Sequence, residues 1–217
     1  MARRDPITRL WRRLRERHRP APIATADALT AFLEERAALI AQKCAIDYCR
    51  GKTGLASFAL FTEKPFLEAL DVCRWETFVA ALGDLVIVTE GYLRPHVTAE
   101  QHARLHGALL AMYSAVLARL PAPAHRPDGW DDAIAAFTLR LKAVGLGEPK
   151  RALDVADHSA KRLFDTLPIH ASMRELDEEV VYGAVRFRMI AVSQEMQRRL
   201  RAPDLVGRLL AAQNVTL

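Results

Sequence analysis

The stretch WETFVAALGDLVIVTEGYLRPHVTAEQHARLHGALLAMYSAVLARL, residues 75–120, decides the fold. In its first half Trp75, Phe78, Val79, Leu82, Leu85, Val86, Thr89, Tyr92 and Leu93 recur at three- and four-residue steps. At about 100° per residue these positions make one broad stripe, as in a helix that buries a face. Ile87 and Val88 fall outside it, so this helix is expected to touch neighbours on more than one side. Arg94-Pro95 ends the helix, because proline disfavours the α conformation in the residue before it. Thr98 then reads as the N-cap of a second helix, with Gln101 placed to close a capping box. Leu105, Leu109, Met112, Val116 and Leu120 carry its apolar face onward. The two segments form an antiparallel helical hairpin turning at Arg94-Pro95-His96.

Outward from the hairpin, helical periods alternate with stop signals. Residues 26–50 follow Thr25 and stop at Gly51; Thr62, with Pro65 in the first turn, opens 63–74. Lys52 to Phe61 reads as one or two irregular helical turns. Asp128 is placed to cap 130–144, Pro149 to begin a helix reaching about Asp165, and Ser172 with Glu175 to open 173–201. Pro203 precedes a short last helix. The composition, rich in Ala, Leu, Arg and Glu with few alternating runs, agrees with an all-α class. The expected fold is a multi-helix bundle of about eight helices built on the central hairpin. Residues 1–22 read as a basic amphipathic arm and 23–217 as the helical domain. The proline-rich stretch 121–129 would separate two lobes, 23–120 and 130–217, if the domain divides.

His102 and His106 lie one turn apart on the second hairpin helix, on an arc shared with Leu110, Tyr113 and Leu117, so both are expected to point inward. Glu90 and His102 are equally distant along the chain from the turn near His96, which places them at similar height. A carboxylate facing histidines at i and i+4 could hold a divalent metal or tune an imidazole for proton transfer. The plainer alternative is that Glu90 and a histidine satisfy one another at a helix interface. Neither HExxH nor the paired Glu-x-x-His of di-iron bundles is present, and the expectation is no cofactor, with a divalent metal as the alternative.

Charge is concentrated at the start of the chain. The net charge is +5, yet residues 1–20 hold eight arginines against Asp5 and Glu16, a local +6, which leaves −1 for the rest. Asp5 can cap, Pro6 suits a first helical position, and Pro20 and Pro22 stop a helix. Between them Ile7, Leu10, Trp11 and Leu14 share a face, with Arg9, Arg12, Arg13, Arg15, Arg17 and Arg19 on the flanks and back. A tryptophan-bearing apolar stripe edged with arginine is the pattern of a helix lying in the headgroup layer of an anionic membrane. Each basic residue at such a surface adds about 1 kcal/mol. A targeting segment, and a terminus that packs Trp11 on its own domain, are the competing readings of the same residues. Nucleic acid is the less favoured partner, since neutralising phosphates makes no use of the apolar stripe.

Cys44, Cys49 and Cys73 make no even disulfide framework, and Cys44 and Cys49 are about 140° apart on a helix, so buried free thiols are expected. No apolar run approaches 18 residues, because Asp84 interrupts the longest candidate. There is no Gly-x-Ser-x-Gly elbow, P-loop, Gly-x-Gly-x-x-Gly or Cys-x-x-Cys. Asp154 and His158, at i and i+4, can pair on a helix surface. The segment Ile46-Asp47-Tyr48-Cys49-Arg50-Gly51-Lys52, followed by Arg74-Trp75 and Leu93-Arg94-Pro95, resembles a family of small helical bacterial, alphaproteobacterial proteins, some of them automatically labelled esterase. The resemblance implies a helical fold and, through that label, a hydrolase; it carries over no catalytic residue. The residues themselves point to a non-enzymatic, cytoplasmic helical protein, peripheral on the inner membrane face. Leu10, Trp11, Leu14 and the arm's arginines would dock it to an anionic membrane surface or an acidic protein partner. The alternative is a metal-binding or hydrolase-type enzyme with its site at Glu90, His102 and His106.

Overall fold

Helix α1, Ala26–Thr53, starts where the Thr25 side chain accepts from the Ala28 amide at 3.2 Å. In the computed structural model, which describes residues 20–213, α1 runs through Gly51. It ends instead at Gly54, whose φ of +52° is the left-handed conformation that glycine adopts without a Cβ penalty. Two short turns, Gly54–Ala56 and Ser57–Leu60, lead to α2, Lys64–Leu93. The expected break between 63–74 and 75–93 is absent. Pro65 sits in the first turn, where its missing amide costs no helical bond, and Leu70 and Cys73 extend the buried face straight into Phe78.

Helix α3, Ala99–Arg119, has the expected capping box: Thr98 Oγ1 accepts from the Gln101 amide at 3.3 Å and Gln101 Oε1 from the Thr98 amide at 3.0 Å. α4, Asp131–Gly145, has Trp130 rather than Asp128 at its N-cap, and α5, Ala152–Thr166, starts beyond Pro149. The expected long helix 173–201 is divided into a turn, Ala171–Arg174, and α6, Glu178–Arg199. His170, not Ser172, supplies the capping side chain of that turn. The chain breaks where Asp177 is drawn to α1, accepting from Tyr48 at 2.8 Å and Lys52 at 2.6 Å. α7, Ala202–Gln213, closes the described chain.

The molecule is all-α, and α2 is its axis. Every residue from Glu76 to Glu90 is buried, Ile87 and Val88 included, because helices cover α2 on all sides. Its broadest contacts are with α1 and α5; α6 closes over α5 and α1, while α3, α4 and α7 cover the remaining side. One continuous core joins Leu33, Leu85, Leu109, Leu163, Met189 and Leu209. Cys44, Cys49 and Cys73 are free and buried in it; burial pushes their thiols up to about 11, 12 and 11, so they are unreactive at neutral pH. Among the described residues no helix is long and apolar enough to cross a membrane.

The start of the described chain is fastened to the end of α6. Ile23 donates to the Arg199 carbonyl and accepts from the Arg201 amide, both at 2.9 Å, making a parallel bridge with Leu200. Arg199 Nε also donates to the Ala21 carbonyl at 3.0 Å.

Candidate functional sites on the central helix

A helix enclosed on all sides can carry a carboxylate only if partners come with it, since an unpaired buried charge costs several kcal/mol. α2 buries three of its carboxylates, Glu76, Asp84 and Glu90, at 6%, 0% and 0% exposure. Each is met by a different set of cations.

At Glu90 the structure brings together the three residues that the sequence singles out. His102 Nε2 lies 3.0 Å and His106 Nε2 3.1 Å from the same oxygen, Glu90 Oε1, with the two rings 4.3 Å apart. The fourth member, Arg94, grips the carboxylate with both arms of its fork: Nε donates to Oε1 and Nη2 to Oε2, each at 2.8 Å. Burial alone would raise this carboxyl, but the bonds from His106, Arg94 and His102 outweigh it and hold it down to about 2. An ionised carboxylate only accepts, so both imidazoles present Nε2–H to it. Arg94 reaches further, donating to the carbonyls of Val144, at 3.1 Å, and Gly147, where α4 ends. The cluster thereby ties the α2–α3 hairpin to α4. The approach is close enough to require glycine at 145: a Cβ there would meet His106 Cε1 at 2.4 Å.

One ligand atom from each of Glu90, His102 and His106 falls within 4.8 Å of the others, a spacing that suits a metal ion. Arg94 competes for that position, since its Nε already occupies Oε1. In sequence Arg94 reads as a helix stop, yet its spacing of four from Glu90, the i, i+4 ion-pair spacing, was there to be read.

Sequence reasoning passes over the other two carboxylates. Glu76 accepts from His125 Nε2 at 3.1 Å, Arg126 Nε at 2.8 Å and Arg162 Nε at 2.9 Å. Burial opposes its charge, but Arg126 and Arg162 more than offset this and lower it below the usual carboxylate range. His125 and Arg126 belong to the proline-rich 121–129 segment, which is thereby clamped onto α2. Asp84 contacts Arg140 Nη1 at 2.6 Å and accepts from the Ser159 amide at 3.0 Å. Its burial dominates and pushes the carboxyl up to about 6. A cavity of about 260 Å³ is lined by Glu76 together with Val79, Gly83, Ala136 and Phe137. Arg126, Arg140, Arg162 and His158 stand at its edge. His158 does not pair with Asp154, whose oxygens are both taken by Arg151 at 2.8 Å. It lines the cavity instead, its outer part exposed to solvent, and partial desolvation together with the charges of Arg140 and Arg162 lowers its imidazole below the usual histidine range. Asp84 in the most apolar stretch of the chain is the one sequence signal for this region.

The remaining sequence candidates, Arg9, Leu10, Trp11, Arg12, Arg13, Leu14, Arg15 and Arg17, lie outside the described residues. No family model, curated protein or solved structure matches this chain. The resemblance to small helical bacterial proteins therefore rests on its own residues.

Proposed function

We propose that this is a non-enzymatic helical protein that docks to an anionic membrane surface through its N-terminal arm. The observation that carries the proposal is the segregation of charge: +6 on residues 1–20 against −1 on the remainder, with Ile7, Leu10, Trp11 and Leu14 on one face of the basic segment. The root of the arm supports it. Pro20, Ala21 and Pro22 are exposed, and Arg198 and Arg201, exposed beside them, add positive charge where the arm leaves the body. Leu10, Trp11 and Leu14 insert and the arginines bind headgroups. Full-length protein should co-sediment with vesicles containing anionic lipid and not with neutral ones, with a blue shift that disappears when Trp11 is replaced. A chain lacking residues 1–20 should lose binding at least about tenfold. Equal binding by both chains, or binding unaltered in the Trp11→Ser/Leu14→Ser double variant, would reject insertion. Failure to bind any vesicle would leave an acidic protein as the arm's partner.

A second reading is favoured by the convergence of Glu90, His102 and His106. We propose it as the alternative: a divalent metal held by these three side chains, serving a hydrolase of the kind the family resemblance implies. Binding would require Arg94 to release Oε1 and both imidazoles to give up the Nε2 proton. Elemental analysis of protein purified without a histidine tag tests it: about one equivalent of metal per chain, lost in His106→Ala, is the expected result, and substoichiometric metal removes the reading.

A further inference from the structure

The cavity bounded chiefly by α2, α4 and α5 shares no residue with the arm or with the Glu90 cluster, and is independent of both proposed functions. Its floor is apolar and fixed. Val79 and Ala80 come from α2, and Ala133, Ala136 and Phe137 from α4. Phe137 stacks on Tyr113 with ring centroids 4.2 Å apart and lies over Gly83, where a Cβ would meet its ring at 3.1 Å. An apolar floor of fixed shape suits the body of a small ligand.

α5 supplies a polar wall. His158 and Arg162 are one turn apart, at i and i+4, and so share a helical face. Arg140 reaches the same face from α4: its Nη2 donates at 3.3 Å to the carbonyl of Val155, three residues before His158. Both guanidiniums are held by carboxylates that α2 buries. Asp84 contacts Arg140 Nη1 at 2.6 Å, and Glu76 accepts from Arg162 Nε at 2.9 Å and from its Nη2. A guanidinium carries five N–H groups, so these bonds leave donors over. Among the described residues nothing accepts from Arg140 Nε or Arg162 Nη1, and His158 has no hydrogen-bond partner. Nor do the carboxylates cancel the field at this wall. Beyond partial desolvation, it is Arg140 and Arg162 that keep the His158 imidazole below the usual histidine range. Long side chains fixed in advance lose little further freedom when an anion arrives.

Uncommitted donors on a positive wall, beside an apolar floor, match a molecule with two unlike ends. We propose that the cavity binds a small organic carboxylate, its charged end among Arg140, His158 and Arg162 and its apolar body on Val79, Ala136 and Phe137. Charge-assisted bonds to a carboxylate are about twice as strong as neutral ones. An inorganic anion would use the wall and leave the floor wet. The volume, about 260 Å³ against roughly 300–1,000 Å³ for drug-sized ligands, limits the body to a single ring or a short chain.

Calorimetric titration of the full-length protein with benzoate, inorganic phosphate and benzyl alcohol tests the proposal. Benzoate should bind once per chain, at least about tenfold more tightly than phosphate, which lacks the body, or benzyl alcohol, which lacks the charge. Ala136→Phe fills the floor without touching a charge and should weaken benzoate at least about tenfold. His158→Ala removes one donor from the wall and should weaken it about fivefold, the equivalent of one hydrogen bond. Both positions are exposed, so both variants should melt with wild type. Benzoate should also shift the imidazole resonance that His158→Ala deletes, and leave those of His102 and His106 in place. Absence of saturable benzoate binding would overturn the proposal, as would phosphate binding as tightly as benzoate or an affinity unchanged in both variants. A shift confined to His102 and His106 would place the carboxylate at the Glu90 cluster and overturn it equally.

Discussion

Replacing Glu90 with glutamine should destabilise the protein by about 3–5 kcal/mol at pH 7, the usual cost of breaking a buried ionic group by removing one member. Glu90 is fully buried and is the common acceptor for Arg94, His102 and His106. A glutamine keeps the volume and one acceptor oxygen but leaves the Arg94 fork without its counter-charge. The loss reaches beyond α2, because Arg94 also holds the carbonyls at the end of α4. The sign of the pH dependence follows from the depressed carboxyl. Its ordinary value is 4.5 and its folded value about 2, so its contribution is fully present above about 4.5 and is lost as pH falls through about 2. The gap between wild type and Glu90→Gln should therefore be widest at neutral pH and clearly narrower at pH 3. Urea unfolding at the two pH values measures it. A gap below about 1 kcal/mol at pH 7, or one unchanged at pH 3, would show that the cluster is not coupled to folding in this way.

Ile87→Ala should cost as much as Leu85→Ala, about 2–5 kcal/mol each. Leu85 lies on the apolar stripe of its helix and Ile87 lies off it, yet both are fully buried. A helix lying on the surface of a bundle would bury only the first, and truncating the second would then fall within about 0.5 kcal/mol of wild type. The comparison tests the enclosure of α2 directly, since the two side chains are of equal size and differ only in the face from which they leave the helix. Thermal or denaturant unfolding of the two variants decides it, and an Ile87 variant of wild-type stability would contradict the packing of α5 and α1 around the axis.

Features set by neighbouring residues were legible in the chain itself. The Thr98–Gln101 capping box is local, and both its bonds are present. The meeting of Glu90 with His102 and His106 needed only the position of the turn and the helical repeat. The off-stripe Ile87 and Val88 signalled enclosure of their helix. What sequence reading missed depended on distant partners or on competition among local ones. Asp84 looked like an interruption because Arg140 and Ser159, which receive it, lie on helices whose placement no local pattern reveals. Glu76 waited on Arg126 and Arg162 for the same reason. Gly51 and Gly54 are equally good stop signals on paper, and only Gly54 takes the positive φ. Ser172 and Glu175 satisfied a capping rule that His170 pre-empted, and the pull of Tyr48 and Lys52 on Asp177 moved the start of α6.

The enclosure of α2 also bears on how the chain is made. Its neighbours come from both sides of it in sequence: α1 precedes it, while α5, which covers its other flank, ends only at Thr166. At about 5–20 residues per second, roughly 4–15 s of synthesis separates the emergence of Leu93 from that of Thr166. Until it closes, a run of fifteen positions, Glu76 to Glu90, that the finished protein hides completely lacks the covering of α5, and Asp84 and Glu76 await first Arg140 and then Arg162. The nascent chain therefore passes through a state in which its most apolar helix is incompletely covered, and that ribosome-bound intermediate is the point at which a holdase chaperone would engage it.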